Sequence, residues 1–231
     1  MNFDVRTDSK GKDPDSSSET LKHFHKLLWS KNLPNGKLFN LDDTKPNAYL
    51  YHKSELGEYY LASDSIIHTY FKWKRTQHII KQISKNEMKY FFDLSYTIGG
   101  FIIFPSNKIN GLPTINQERG FNTKINDRID LTLECIRRYY NNENSPMIDT
   151  LKRYTDFFKL FSDFKGFCEY FLLNDLVTNN YSKVNFLLPF KDFVNNPLPK
   201  DLNEYNKYKK YTIDFLQRRN KRIEEYSKEL R

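Results

Sequence analysis

The stretch from Asn126 to Arg138 reads Asn-Asp-Arg-Ile-Asp-Leu-Thr-Leu-Glu-Cys-Ile-Arg-Arg and is the strongest candidate for chemistry. On a helix, Asp127, Asp130, Glu134 and Arg138 share one face, because their spacings of three and four match the helical turn. Asp130 and Glu134 are like charges one turn apart. Alone, such a pair costs about a few tenths of a kcal/mol. Arg137 and Arg138 one turn on, with Arg128 or Arg153 from a neighbour, would offset that cost as salt bridges, the commoner outcome. A divalent metal or a cationic substrate group would offset it as a ligand. That makes Asp127, Asp130 and Glu134 the candidate catalytic carboxylates, acting as metal ligands or acid–base groups on a phosphate-containing substrate.

A second chemistry overlaps the first. Arg119, Lys124 and Arg128 surround the expected start of that helix. Exposed backbone N–H groups and the positive dipole end favour an anion there. With Arg137 and Arg138 they form the candidate ligand-binding set for a phosphate, a nucleotide or a nucleic acid. Neither a P-loop nor a dinucleotide fingerprint occurs. The five histidines, His23, His25, His52, His68 and His78, lack zinc-spaced partners, and no HExxH is present. No resident cofactor or metal site is therefore identified, and a divalent ion stays an expectation tied to the carboxylates.

A further basic stretch holds Lys72, Lys74, Arg75, Lys81, Lys85 and Lys89 against Glu87 alone. Tyr70 and Trp73 interleave aromatics that can stack on bases. A solvated surface helix is the plainer reading.

These residues need elements to hold them. The clearest helix is expected from Lys124 to about Asn141, where Ile125, Ile129, Leu133, Ile136 and Tyr140 recur at helical spacing. Capping-box pairs Ser16/Glu19, Ser84/Glu87, Thr114/Gln117 and Asp201/Glu204 announce four more. Ser145-Pro146 announces another, broken from its successor near Ser162. A long final helix is expected over residues 201–229. Strands are expected at Ala48–Tyr51 and Glu58–Ala62 as a hairpin, at Phe101–Phe104, and at Val184–Leu188. Residues 1–18 read as a polar arm. The order of elements predicts an α+β fold, predominantly helical with a few short strands, as one domain over residues 1–231.

Composition sets the outer limits. Only 38% of the 231 residues are hydrophobic, but 19 Phe and 16 Tyr supply large buried areas. No apolar run approaches the roughly 20 residues that span a bilayer. Met1–Arg6 lacks the basic and apolar regions of a secretory signal. Cys135 and Cys168 lie far apart in apolar helical patterns, which predicts buried thiols. A cytoplasmic location is the expectation. The 37 basic residues exceed the 29 acidic ones, a formal net charge of +8, which favours anionic partners.

Several segments together resemble a family of uncharacterised bacterial proteins. They include Phe3–Asp8, Lys12–Asp15, Leu28–Lys31 with Leu33-Pro34, Ser63–Ser65, Thr114–Asn116, Arg119-Gly120, Asp127–Arg138, Asp156–Phe158, Asp175–Val177 and Arg219-Asn220. The resemblance covers nearly the whole chain. It implies one domain, with the polar arm folded onto the body, and it implies no activity. The leading functional expectation is an anion-binding protein. The rivals are a metal-dependent enzyme on a phosphate-containing substrate and an interaction module whose aromatic surface docks a partner chain. The sequence is silent on oligomeric state.

Overall fold

The computed structural model describes residues 3–195 and 197–229. Its sheet begins with the expected hairpin. Strands β3 (Leu50–Ser54) and β4 (Gly57–Ser65) follow the small ladder of β1 (Lys31–Asn32) with β2 (Leu38–Phe39). The register sets Leu50 against Leu61 and His52 against Tyr59. Along β4, Tyr59, Leu61 and Ser63 point inward with the period of two that a half-covered strand requires. Gly57 stands at φ +124°, and the Tyr59 ring occupies the place of a Cβ there, so only glycine fits. Strand β5 (Phe101–Pro105) pairs antiparallel with β4, Ser65 opposite Phe101, and is buried throughout.

Helices enclose this sheet. In chain order they are α1 (Pro14–Ser17), α2 (Glu19–Trp29), α3 (Gln77–Ile80), α4 (Lys85–Ser95), α5 (Ile115–Phe121), α6 (Ile129–Tyr140), α7 (Ile148–Arg153), α8 (Thr155–Lys159), α9 (Phe164–Tyr170) and α10 (Leu202–Glu229). The fold is α+β and helix-dominated. Helix α10 buries Tyr205, Tyr208, Thr212, Phe215, Leu216, Arg219 and Ile223, a stripe at spacings of three and four. Asp201 accepts from the Glu204 N–H at 2.8 Å, and Glu204 reaches back to the Lys200 N–H at 2.9 Å. The Thr114 box closes in both directions. Phe157, Phe158, Phe161, Phe167 and Phe171 form a continuous ring cluster with Trp29 of α2 and Tyr170 of α9.

The described part of the polar arm lies on the body, as the resemblance implies: Val5 is fully buried, its N–H bonds the Tyr96 carbonyl at 3.0 Å, and Arg6 pairs with Asp4 and Asp93. Four expectations change. Ser18, next to α1, caps α2 in place of Ser16. The main helix starts at Ile129 rather than Lys124, because Asn126 and Asp127 adopt left-handed backbone at φ 48° and 58°. Residues 184–188 form no strand beyond one bridge between Val177 and Val184, and Ser145 caps nothing, since α7 starts from Met147. Among the described residues no helix is long and apolar enough to cross a membrane. Both cysteines are free and buried.

His25 on α2 is fully enclosed. Burial first, then the nearby Arg219 charge, drag its pKa down to about 3. The unfolded imidazole titrates near 6.5, so below that pH the unfolded chain binds a proton the folded one refuses. Stability from this group is therefore intact above pH 6.5 and falls on acidification toward 3. Urea unfolding of the native chain and of His25→Leu across this range isolates the term. The native chain is expected to lose about 1.4 kcal/mol per pH unit relative to the variant. Parallel pH profiles would contradict the assignment.

Candidate functional site

Asp130, Glu134 and the arginines of the 119–138 region are drawn into internal pairs. Asp127 leaves the helical face entirely: its N–H donates to the Arg119 carbonyl at 3.1 Å, within the turn that precedes α6. Asp130 is fully buried. It accepts from Arg128 Nε at 3.0 Å and from the Leu187 N–H at 2.8 Å, while Arg128 also donates to the Pro197 carbonyl. Glu134 takes Arg137 in a bidentate fork at 2.8 and 3.0 Å and Arg138 Nε at 2.7 Å. The like-charge pair on α6 is thus offset by arginines. Arg119 is fully buried between Asp64, the Thr132 hydroxyl and the carbonyls of Ser65 and Asp127. Arg137 continues to Glu143, and Arg138 lies 5.0 Å over the Phe193 ring. Lys124 faces solvent, apart from the others. Among the described residues no three acidic, His or Cys side chains gather at metal-binding distance.

The other basic stretch stands open. Its origin is Tyr70, a buried residue held at φ 56°. Its N–H donates to His68 Nδ1 at 2.9 Å, its carbonyl accepts from the Thr76 hydroxyl at 2.8 Å, and its own hydroxyl reaches the Asn126 carbonyl at 2.9 Å. Three anchors hold a backbone conformation that a bulky residue rarely adopts. His68 accepts through Nδ1, so its neutral ring carries the proton on Nε2. Burial lowers the His68 pKa, and the Asp127 charge opposes that shift.

The turn at Tyr70 sends Phe71 outward, where it stays 44% exposed and meets Phe92 with ring centroids 6.1 Å apart. Helices α3 and α4 then frame a groove of about 610 Å³. Phe71, Ile80, Ile83, Met88 and Phe92 make its apolar floor. Gln77 is a polar group within it, and its amide donates to the Phe71 carbonyl at 2.5 Å. Lys81, Lys85 and Lys89 stand along the walls. Lys72, Lys74 and Arg75 are exposed on the same segment. Glu87, the acidic residue here, is engaged by the buried Lys209 of α10. Lys89 pairs with Asp93. Among the described residues Lys72, Lys74, Arg75, Lys81 and Lys85 have no carboxylate partner. Sequence spacing showed this charge but not the groove, since Phe71, Ile80 and Phe92 converge only through the Tyr70 turn and the packing of α4.

Fold and site together define a helix-rich α+β protein with a lysine-walled apolar groove. The chain belongs to a family of unknown function, DUF6994, whose pattern matches residues 1–223. No curated protein and no solved structure matches it.

The α6 pairs make a sharp stability prediction. Replacing Asp130 by Ala leaves Arg128 buried and unpaired, which is expected to cost about 3–5 kcal/mol. Glu134→Ala is expected to cost less, because Arg137 keeps Glu143 and both arginines reach solvent. Chemical denaturation of the two variants checks the order, and a larger loss for Glu134→Ala would refute it.

Proposed function

We propose that this protein binds an anionic partner through the α3–α4 groove, and that the partner is an acidic, amphipathic segment of another protein. One observation carries the reading: Lys81 and Lys85, which have no carboxylate partner among the described residues, wall an apolar floor that includes a 44%-exposed phenylalanine, and Lys72, Lys74 and Arg75 stand exposed and unpaired on the same segment. An exposed apolar patch rimmed by charge marks an interaction surface. The floor of two Phe, two Ile and one Met offers no hydrogen-bond donor, and the Gln77 amide is already engaged. Base edges would find few hydrogen-bond partners there, whereas leucine or phenylalanine side chains on one helix face would fill it. Acidic residues on the flanks of that segment would meet Lys81, Lys85 and Lys72. The charge raises the association rate and the floor holds the complex.

Fluorescence anisotropy tests this with a labelled peptide of alternating acidic and leucine-rich helical turns, a scrambled control, and an oligo(dT) strand, over a salt series. The peptide is expected to bind, to weaken as salt rises, and to lose at least about tenfold affinity in Lys81→Glu/Lys85→Glu and again in Phe71→Ala. Binding of oligo(dT) with no binding of peptide would replace this partner by single-stranded nucleic acid. Binding of neither at low salt removes the anionic reading of the groove.

A further inference from the structure

The polar arm builds a second site of opposite chemistry. Helix α1 lies against β4, and a pocket of about 280 Å³ opens between the arm, the start of α2 and the sheet. Asp15, Ser18, Glu19, Lys22, Tyr49 and Ser63 line it. Four acidic groups bear on this corner. Asp15 and Glu19 are in the wall, Asp13 hydrogen-bonds Asp15, and the charge of Asp8 reaches Tyr49. Against them stands Lys22, which forms no ion pair with either wall carboxylate and whose charge is felt by Asp43.

The second feature is independent of charge. Ser63 is 92% buried by its 8% exposure, and its hydroxyl makes no hydrogen bond of good geometry, although Tyr49 lies beside it. The neighbouring Asn116 donates its amide N–H to the Ser63 carbonyl at 3.2 Å, while its own Oδ1 stays unpaired. Asp8 accepts from the Thr20 N–H through Oδ2, and its Oδ1 is likewise unpaired. Each of these three atoms is an oxygen with accepting capacity, and buried acceptors call for donors; of the three residues Ser63 lines the pocket, while Asn116 and Asp8 lie behind its lining.

We propose that this pocket binds a small organic cation, a primary ammonium or a guanidinium, whose N–H groups donate to the Asp15 and Glu19 carboxylates with Ser63 as a third acceptor. An organic cation carries its donors on several faces and so meets acceptors spread around a pocket. A metal ion needs them converged, and among the described residues they do not converge. Binding is linked to a proton. Burial, and then Asp13, push the Asp15 carboxyl up to about 7. Near neutral pH the Asp13–Asp15 pair therefore retains a proton for part of the time, and an arriving cation displaces it: the carboxyl O–H bond breaks and the proton passes to the buffer. Tyr49 stays protonated, since burial raises its pKa, and His25 behind it stays neutral.

Isothermal titration calorimetry of the full chain at pH 7 tests this, with ethylammonium, putrescine and agmatine as probes and glycerol as the neutral control. Each probe is run in phosphate and in MOPS, whose ionisation enthalpies differ and neither of which is a primary ammonium. At least one cation is expected to bind at millimolar concentration or below with release of a fraction of a proton, read from the difference between the buffers. Asp15→Asn keeps the shape of the carboxyl. It is expected to weaken binding at least about tenfold and to abolish the buffer difference. Circular dichroism of the variant confirms that it is folded. Ser63→Ala is expected to weaken binding less, with the proton release unchanged. No binding by any of the three cations overturns the proposal, as does binding that Asp15→Asn leaves intact, or stabilisation by Mg²⁺ or Ca²⁺ alone.

Discussion

The guanidinium of Arg219 is the tie on which the architecture depends. It sits fully buried on α10 and donates to the carbonyls of Gly99 and Phe101 at 2.7 and 2.9 Å and of Phe171 at 3.1 Å. One side chain thus joins the terminal helix, the edge strand and the end of α9. Among the described residues no carboxylate pairs with it, and burial pulls its pKa down to about 9. A buried charge without a counter-ion is costly. Here the negative ends of peptide dipoles stand in for the carboxylate, because Phe171 closes α9 and Gly99 lies in a 3-10 turn. Asn220 completes the joint. It accepts from the Gly99 N–H at 2.9 Å and donates to the Thr97 hydroxyl at 2.8 Å. A Cβ on Gly99 would lie 2.7 Å from Asn220 Oδ1, so the close approach of α10 requires glycine. The same contact satisfies the carbonyl of Phe101, the first residue of β5.

Charge in this molecule has two distinct uses. Inside, Arg119, Arg128 and Arg219 join elements that are far apart in the chain, each by several hydrogen bonds from one planar group. Outside, among the described residues, Lys72, Lys74, Lys81 and Lys85 are left without acidic partners, and Asp15 and Glu19 of the arm pocket are left without basic ones. A net charge of +8 sums these regions and conceals both. The arginine-rich α6, which looks most like an anion site on paper, is the part where cations are most thoroughly matched. The segments Lys12–Asp15 and Ser63–Ser65, distant in sequence, each give a residue to the arm pocket, while Asp64 turns from β4 to Arg119.

Much of the secondary structure was legible because local rules suffice for it. The Ser84, Thr114 and Asp201 caps bond as their spacing requires. The hairpin forms around a glycine that its turn requires, and the break near Ser162 appears as a left-handed residue at φ 67°. Other positions were decided by partners that local patterns do not contain. The apolar period through Ile125 and Ile129 continues the α6 stripe, yet Tyr70, 56 residues away, holds the Asn126 carbonyl in a left-handed turn. The arm reads as polar because its anchors are single residues, Val5 and Arg6, that bond to the end of α4.

The sequence by itself determined the helix-rich α+β class, the buried free thiols and the family, since periodicity, capping pairs and motif order are local properties of the chain. It also located the charge of residues 72–89. Tertiary structure alone decided which charges are available. An ion pair such as Arg119–Asp64 or Arg128–Asp130 exists only when burial removes water from both partners and packing fixes their distance, and no spacing along the chain encodes that contest. The groove and the arm pocket follow from the same fact: each is what remains when the core has claimed its own counter-ions.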